Sequence, residues 1–298
     1  MHTIDSPAAE EAAHLPLTTR FELGREITPV QRAFLERNGF LVFSQVARAE
    51  EIERIDAEVR AVQERWLAEG RKKVYGIPLF VGSDPEGQPF IQRFAFTSMF
   101  SDYIRAFVRD ERFFPVRSLI GAETRVGDEE KDGVVFNRNL NVAGSAYPRL
   151  GWHTDGLREL FYLRVPGPML NVGLHLDRVR AEEGGLRLIP GSHTQGFLNM
   201  AFAKPYFVSH RPDPREIAVE TEPGDLTVHD GRTWHRVEAS PRTGWSSLRR
   251  TMYVPYLTDS YSPKSEESPT PAYHHVGRAL RWVKRRRGRR ALAAGAGV

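Results

Sequence analysis

From Val74 to Tyr256 the chain is built of short apolar or alternating stretches, the clearest at residues 133–142, 168–177, 185–190, 216–220, 225–229 and 248–256, broken by Gly, Pro, Asp and Asn. Runs of this length with a two-residue alternation are strands, and the breakers between them are turns. Many short strands must bury one face of their sheet against a second layer. The expectation is a mainly β fold, a jelly roll or related double-sheet barrel, with helices packed outside it.

The helices come first. Thr28 followed by Pro29 is an N-cap with proline at the first helical position, Phe34 and Leu35 supply an apolar face, and Asn38-Gly39 stops the helix. Gly39-Phe-Leu-Val-Phe43 is a strand signal. Beyond it, Ile52, Ile55, Val59, Val62 and Trp66 recur at spacings of three and four, which predicts a helix over about 49–68 with one face on a core. Residues 1–20 lack such periodicity and are expected to form a flexible arm; 21–261 then make one domain, and 262–298 a linker and basic tail with a helix candidate over 273–292.

Composition narrows the chemistry. With no cysteine, disulfides, iron–sulfur clusters, thiolate zinc sites and a Cys nucleophile are excluded, so a metal site must use His and carboxylates. The formal net charge is +4, but Arg278, Arg281, Lys284, Arg285, Arg286, Arg287, Arg289 and Arg290 carry eight positive charges, so the remainder is near −4. A slightly acidic body argues against a nucleic-acid groove, whereas the tail suits an anionic partner or surface. No apolar run reaches the roughly 18–20 residues of a membrane span, and Asp5, Glu10 and Glu11 stand where a signal peptide would be basic and then apolar; the expected location is the cytoplasm.

The strongest local signal is Gly151-Trp-His153-Thr-Asp155-Gly156 at the end of a predicted strand. On an extended chain residues i and i+2 point to the same side, so one imidazole and one carboxylate reach a single cation. The third ligand is expected from Pro223-Gly-Asp-Leu-Thr-Val-His-Asp-Gly-Arg-Thr-Trp-His235, where a turn and a strand lead to His235. Two imidazoles and one carboxylate with open positions suit an iron(II) oxygenase. If the co-substrate is 2-oxoglutarate, its far carboxylate needs a cation, best an arginine fork. Arg249 and Arg250 lie on a strand after His235, and only one of two neighbours can face inward. Three amides, Asn137, Asn139 and Asn141, alternate along the strand before the metal motif. Asn139 and Asn141 are the candidates for contacting the keto acid. His193 and His229 read as turn and barrel residues, and His175 as packed. Trp152, Phe161, Tyr162, Phe80 and Phe202 suggest an apolar pocket rim. The glycine pairs have no phosphate-loop context, and no Gly-x-Ser-x-Gly elbow is present.

These features together resemble the phytanoyl-CoA dioxygenase family of 2-oxoglutarate enzymes. The matching segments are Asn38-Gly-Phe-Leu-Val-Phe43 and its following helix, His153-Thr-Asp155, Glu183-Gly-Gly-Leu-Arg-Leu-Ile-Pro-Gly-Ser-His193, Pro223-Gly-Asp225 leading to His235, and Arg249, spanning about 28–256. The resemblance implies a double-stranded β-helix core, Fe(II) on His153, Asp155 and His235, and 2-oxoglutarate anchored by Arg249. It also implies consumption of O2, decarboxylation to succinate and CO2, and attack on a C–H of a small or mid-sized organic substrate, usually ending in hydroxylation. Asp155 argues against the halogenating relatives, which carry a small residue there. Two departures stand out. The stretch from His235 to Leu248 is longer than usual, which makes Arg242 a rival anchor, and no aromatic stands at Asn171–Leu176 where relatives place one. The alternatives are a cupin-like metalloenzyme without a keto acid, for which Arg249 would matter little, and a non-catalytic binding protein on the same fold.

Overall fold

The computed structural model describes residues 6–156 and 167–271. The basic tail and its helix candidate lie outside the described residues.

Within the segment expected to be a flexible arm, α1 (Pro7–His14) forms a helix. Ser6 caps it, Pro7 occupies its first turn, and Ala12 is buried. α2 (Pro29–Asn38) begins with a full capping box between Thr28 and Gln31 and ends at Gly39, whose left-handed φ of 79° closes the last turn. α3 (Ala49–Ala68) buries Ile52, Ile55, Val59, Val62 and Trp66, the stripe its spacing predicts. Three short helices, α4 (Asp102–Val108), α5 (Phe114–Arg117) and α6 (Phe197–Phe202), interrupt the strand-rich part of the described residues.

Two antiparallel sheets form the jelly-roll core. The large sheet has the order β1 (Phe40–Phe43), β12 (Leu226–Asp230), β9 (Met169–His175), β14 (Arg249–Leu257), β7 (Val135–Asn139), β5 (Pro89–Phe94) and β4 (Phe80–Ser83), with β6 (Arg125–Val126) pairing to β14. The small sheet has the order β11 (Ile217–Ala218), β10 (Gly185–Leu188), β13 (His235–Glu238) and β8 (Leu150–His153). A hairpin of β2 (Lys73–Val74) and β3 (Ile77–Pro78) stands apart. The predicted strands at 133–142, 168–177, 185–190, 225–229 and 248–256 fall on β7, β9, β10, β12 and β14.

The main core lies between the large sheet and the helices. Phe136, Leu170, Val172, Leu174 and Val254 from one sheet face meet Ile55, Val59 and Trp66 of α3 and its neighbours in one cluster. Full burial of such side chains contributes roughly 1.5–3 kcal/mol each. Asp225, fully buried in the turn before β12, accepts hydrogen bonds from the backbone N–H groups of Gln45 and Glu222 and pairs with Arg20, which fixes the corner between β1 and β12. Among the described residues no helix is long and apolar enough to cross a membrane.

Candidate metal centre and co-substrate cavity

The other face of the large sheet and the inner face of the small one enclose a cavity of about 560 Å³. His153 ends β8 and His235 begins β13, and the two residues are direct cross-strand partners. Their ring centroids are 4.0 Å apart. Asp155 follows on the turn after β8, which is pinned by Gly156 donating its N–H to the Gly231 carbonyl at 2.9 Å. The ligand atoms of His153, Asp155 and His235 all lie within 4.8 Å of one another.

Both imidazoles are oriented by the chain. His153 Nδ1 lies 2.9 Å from the Gly151 carbonyl and His235 Nδ1 lies 3.0 Å from that of Thr233. A carbonyl only accepts, so each Nδ1 carries the proton and each Nε2 keeps its lone pair for a cation. Asn171 Nδ2 donates to Asp155 Oδ2 at 2.9 Å, an outer contact that orients the carboxylate. Burial pushes the Asp155 carboxyl up, but the imidazoles of His235, His229 and His153 outweigh it and hold it far below its ordinary range. Burial, with His153 beside it, pushes His235 well below the ordinary imidazole value. An ionised carboxylate and neutral imidazoles are the forms that bind a metal.

Arg249, at the start of β14, lines the same cavity and is 6% exposed. Its Nη1 donates to the Glu238 carbonyl at 2.9 Å, while its Nε is buried with no partner among the described residues. Burial lowers its pKa to about 10, which leaves it cationic at neutral pH. Gly184, at φ 91°, backs the guanidinium: a Cβ there would stand 2.7 Å from Nη1 and 2.5 Å from the Ala239 carbonyl oxygen. A cradled cation with an unmet donor fits a carboxylate, as the triad fits iron(II).

The family profile described as Phytanoyl-CoA dioxygenase (PhyH) matches residues 35–243. The chain belongs to the phytanoyl-CoA dioxygenase family. With the His153–Asp155–His235 cluster, this makes it an enzyme of the iron(II)- and 2-oxoglutarate-dependent oxygenase type. Its structure is similar to that of AviO1 from Streptomyces viridochromogenes Tue57, at 20% identity over 81% of this chain and 98% of that one, with a TM-score of 0.54. It is also similar to the non-heme alpha ketoglutarate dependent epimerase SnoN from nogalamycin biosynthesis, at 20% identity over 79% and 85% with a TM-score of 0.53. A third likeness is to HygX from Streptomyces hygroscopicus with nickel and 2-oxoglutarate bound, at 17% identity over 80% and 89% with a TM-score of 0.58. At these identities the likeness establishes the fold. No curated protein matches the sequence.

In this member of the phytanoyl-CoA dioxygenase family the rival arginines point elsewhere. Arg250 faces the helices and pairs with Asp177 at 2.5 Å and Asp56 at 3.1 Å. Arg242 is exposed and pairs with Glu183 at 2.5 Å. Asn139 lines the cavity and donates to the Tyr147 carbonyl at 3.1 Å. Asn141 is not among the cavity-lining residues; its amide donates to the carbonyls of Ser240 and Arg242 and clips the loop after β13.

The expected apolar rim needs correction. Trp152 faces away from the cavity, fully buried against Ile189 and Trp234, because it alternates with the inward-facing Gly151 and His153. Phe202 is 78% exposed and does not line the cavity, whereas Phe80 does. Phe161 and Tyr162 lie outside the described residues. His193 sits in the turn after β10 and its Nε2 lies 3.0 Å from the Glu36 carbonyl. His175, expected to be packed, and His229, expected to be a barrel residue, both line the cavity, as does Asn171. Their signal was the alternation within β9 and β12, where Asn171, His175 and His229 stand opposite Val172, Leu174 and Val228.

Proposed function

We propose that the protein hydroxylates an unactivated C–H of a small or mid-sized organic substrate. His153, Asp155 and His235 hold iron(II), Arg249 anchors the far carboxylate of 2-oxoglutarate, and Asn139 forms part of the wall beside it. The observation that carries this reading is the pairing, in one cavity, of the three-residue cluster with a buried arginine whose Nε has no partner among the described residues. When bound, the iron and keto acid supply an oxidant from O2, with one oxygen atom entering succinate as CO2 leaves and the other entering the substrate.

The chain's own residues prepare that reaction. The backbone carbonyls of Gly151 and Thr233 keep the imidazoles in one tautomer, and Asn171 fixes the carboxylate, so little reorganisation is needed on metal binding. The Arg249 fork sets the direction in which the keto acid lies. A volume of about 560 Å³ accommodates the keto acid and a substrate of modest size. The likeness to SnoN, whose structure is known in complex with nogalamycin RO, supports a place in specialised metabolism.

The test is anaerobic addition of iron(II) and 2-oxoglutarate to apoprotein, read as the weak visible charge-transfer band. Wild type is expected to give the band and His153→Ala to lose it, while Arg249→Ala should need about a hundredfold more keto acid. A folded, iron-loaded wild type without a band would count against 2-oxoglutarate and favour the cupin-like alternative. Product mass then separates hydroxylation, which adds one oxygen atom, from epimerisation, which adds none.

A further inference from the structure

Of the imidazoles that line the cavity outside the His153–Asp155–His235 cluster, His229 lies nearest to it. His229 lies on β12, is 1% exposed and lines the cavity, and neither ring nitrogen makes a hydrogen bond to a described residue. A neutral imidazole carries one donor and one acceptor, and leaving such groups unmet in a buried site costs about 1–3 kcal/mol each. The residue cannot swing out easily, since its backbone is paired on both sides, opposite Phe40 of β1 and Asn171 of β9.

His229 is close to the metal cluster without belonging to it. Its ring centroid is 4.6 Å from that of His235. Its Nε2 is 3.7 Å from Asp155 Oδ2, too long for a hydrogen bond, and that oxygen already accepts from Asn171. The three residues whose ligand atoms lie within 4.8 Å of one another do not include it. His153 and His235 come from the small sheet, whereas His229 and Arg249 come from the large one. The missing partner of His229 is therefore something that enters the space between the sheets.

We propose that His229 is the polar contact for the metal-binding end of the keto acid: its imidazole N–H donates to a carboxylate oxygen at that end, while Arg249 takes the carboxylate at the other. The inference rests on the 2-oxoglutarate reading of the site. An anionic acceptor that arrives only with the co-substrate explains why the described residues supply none, since a built-in acceptor would compete for the same N–H. Contacts at both ends would fix how the keto acid lies in the cavity.

The test uses full-length protein loaded anaerobically with iron(II) and titrated with 2-oxoglutarate, comparing wild type, His229→Phe and His229→Gln. Iron(II) affinity by calorimetry should stay within about threefold of wild type, since His229 is outside the cluster and its Nε2, 3.7 Å from Asp155 Oδ2, is beyond hydrogen-bond reach of the carboxylate. His229→Phe should weaken keto-acid binding about tenfold, the loss of one charge-assisted hydrogen bond, and move the visible band. His229→Gln, which keeps an N–H donor, should recover part of both and decides the matter if the Phe variant fails to fold. Loss of iron itself in a folded variant would make His229 a ligand and overturn the proposal. Unchanged keto-acid affinity and band position would reduce it to packing. A wild type that binds iron but shows no band would overturn the reading of the site itself, whatever His229 does.

Discussion

The two faces of the large sheet are made by the same strands and follow opposite rules. On one, Phe136, Leu170, Val172, Leu174 and Val254 are buried against the helices. On the other, residues one position away, Asn137, Asn171, His175, Arg249 and Tyr253, line the cavity. The first face stabilises the fold through buried apolar area. The second forgoes that gain and holds buried polar atoms with no hydrogen-bond partner among the described residues, on Asn137, His229 and Arg249. Such atoms are tolerated where an incoming ligand can satisfy them, so the face that contributes least to stability is the one equipped for chemistry.

Substitutions on the two faces should separate stability from function. The largest effect is expected for Phe136→Ala, a fully buried ring packed edge-on to Phe94 with centroids 6.3 Å apart. It should cost about 3–5 kcal/mol in urea unfolding while the folded fraction keeps its iron affinity. A cost below about 1 kcal/mol would mean that this face is not what holds the fold.

A sharper contrast comes from two consecutive residues of β14. Arg250→Ala removes the pairs with Asp177 and Asp56 and should cost about 1–2 kcal/mol of stability, with keto-acid affinity changed by no more than about twofold. Arg249→Ala should do the reverse. If titration of both variants showed equal losses of 2-oxoglutarate binding, the distinction between inward and outward arginine would fail.

The smallest effect concerns pH. His175 is 4% exposed on the cavity face, its Nε2 3.0 Å from Thr227 Oγ1, and burial, with His229 and Arg20 adding, pushes its pKa from 6.5 down to about 3. The unfolded chain takes up a proton below 6.5 that the folded state refuses. Its stabilising contribution is therefore fully present above pH 6.5 and is lost as pH falls toward 3, by at most about 1.4 kcal/mol per unit. His175→Gln, which keeps a polar partner for Thr227, should flatten the decline between pH 6.5 and 5 by about 1 kcal/mol in thermal or urea unfolding. An unchanged slope would show that other groups govern acid sensitivity.

Much of this was legible before any coordinates because it depends on local geometry. The stripe Ile52–Trp66 specifies its helix, the Thr28-Pro29 cap marks where α2 begins, and the i, i+2 spacing of His153 and Asp155 puts both on one side of the chain. α1 and α4 were not legible. Each is about two turns, too short for a period to stand out, and is held by caps at Ser6 and Ser101 and by contacts with the rest of the fold.

By itself the sequence determined the longer elements, the alternation within their strands, and the set of residue types available to hold a metal, since each follows from bonds and dihedrals within a few residues. Only the tertiary structure decided which parity faces the cavity, that His235 lies directly opposite His153, that Arg249 and not Arg250 turns inward, and that His229 stands beside the His153–Asp155–His235 cluster with no partner among the described residues. Those outcomes depend on strand register and sheet packing, which are chosen by the burial of the whole apolar face at once and cannot be read from any one segment.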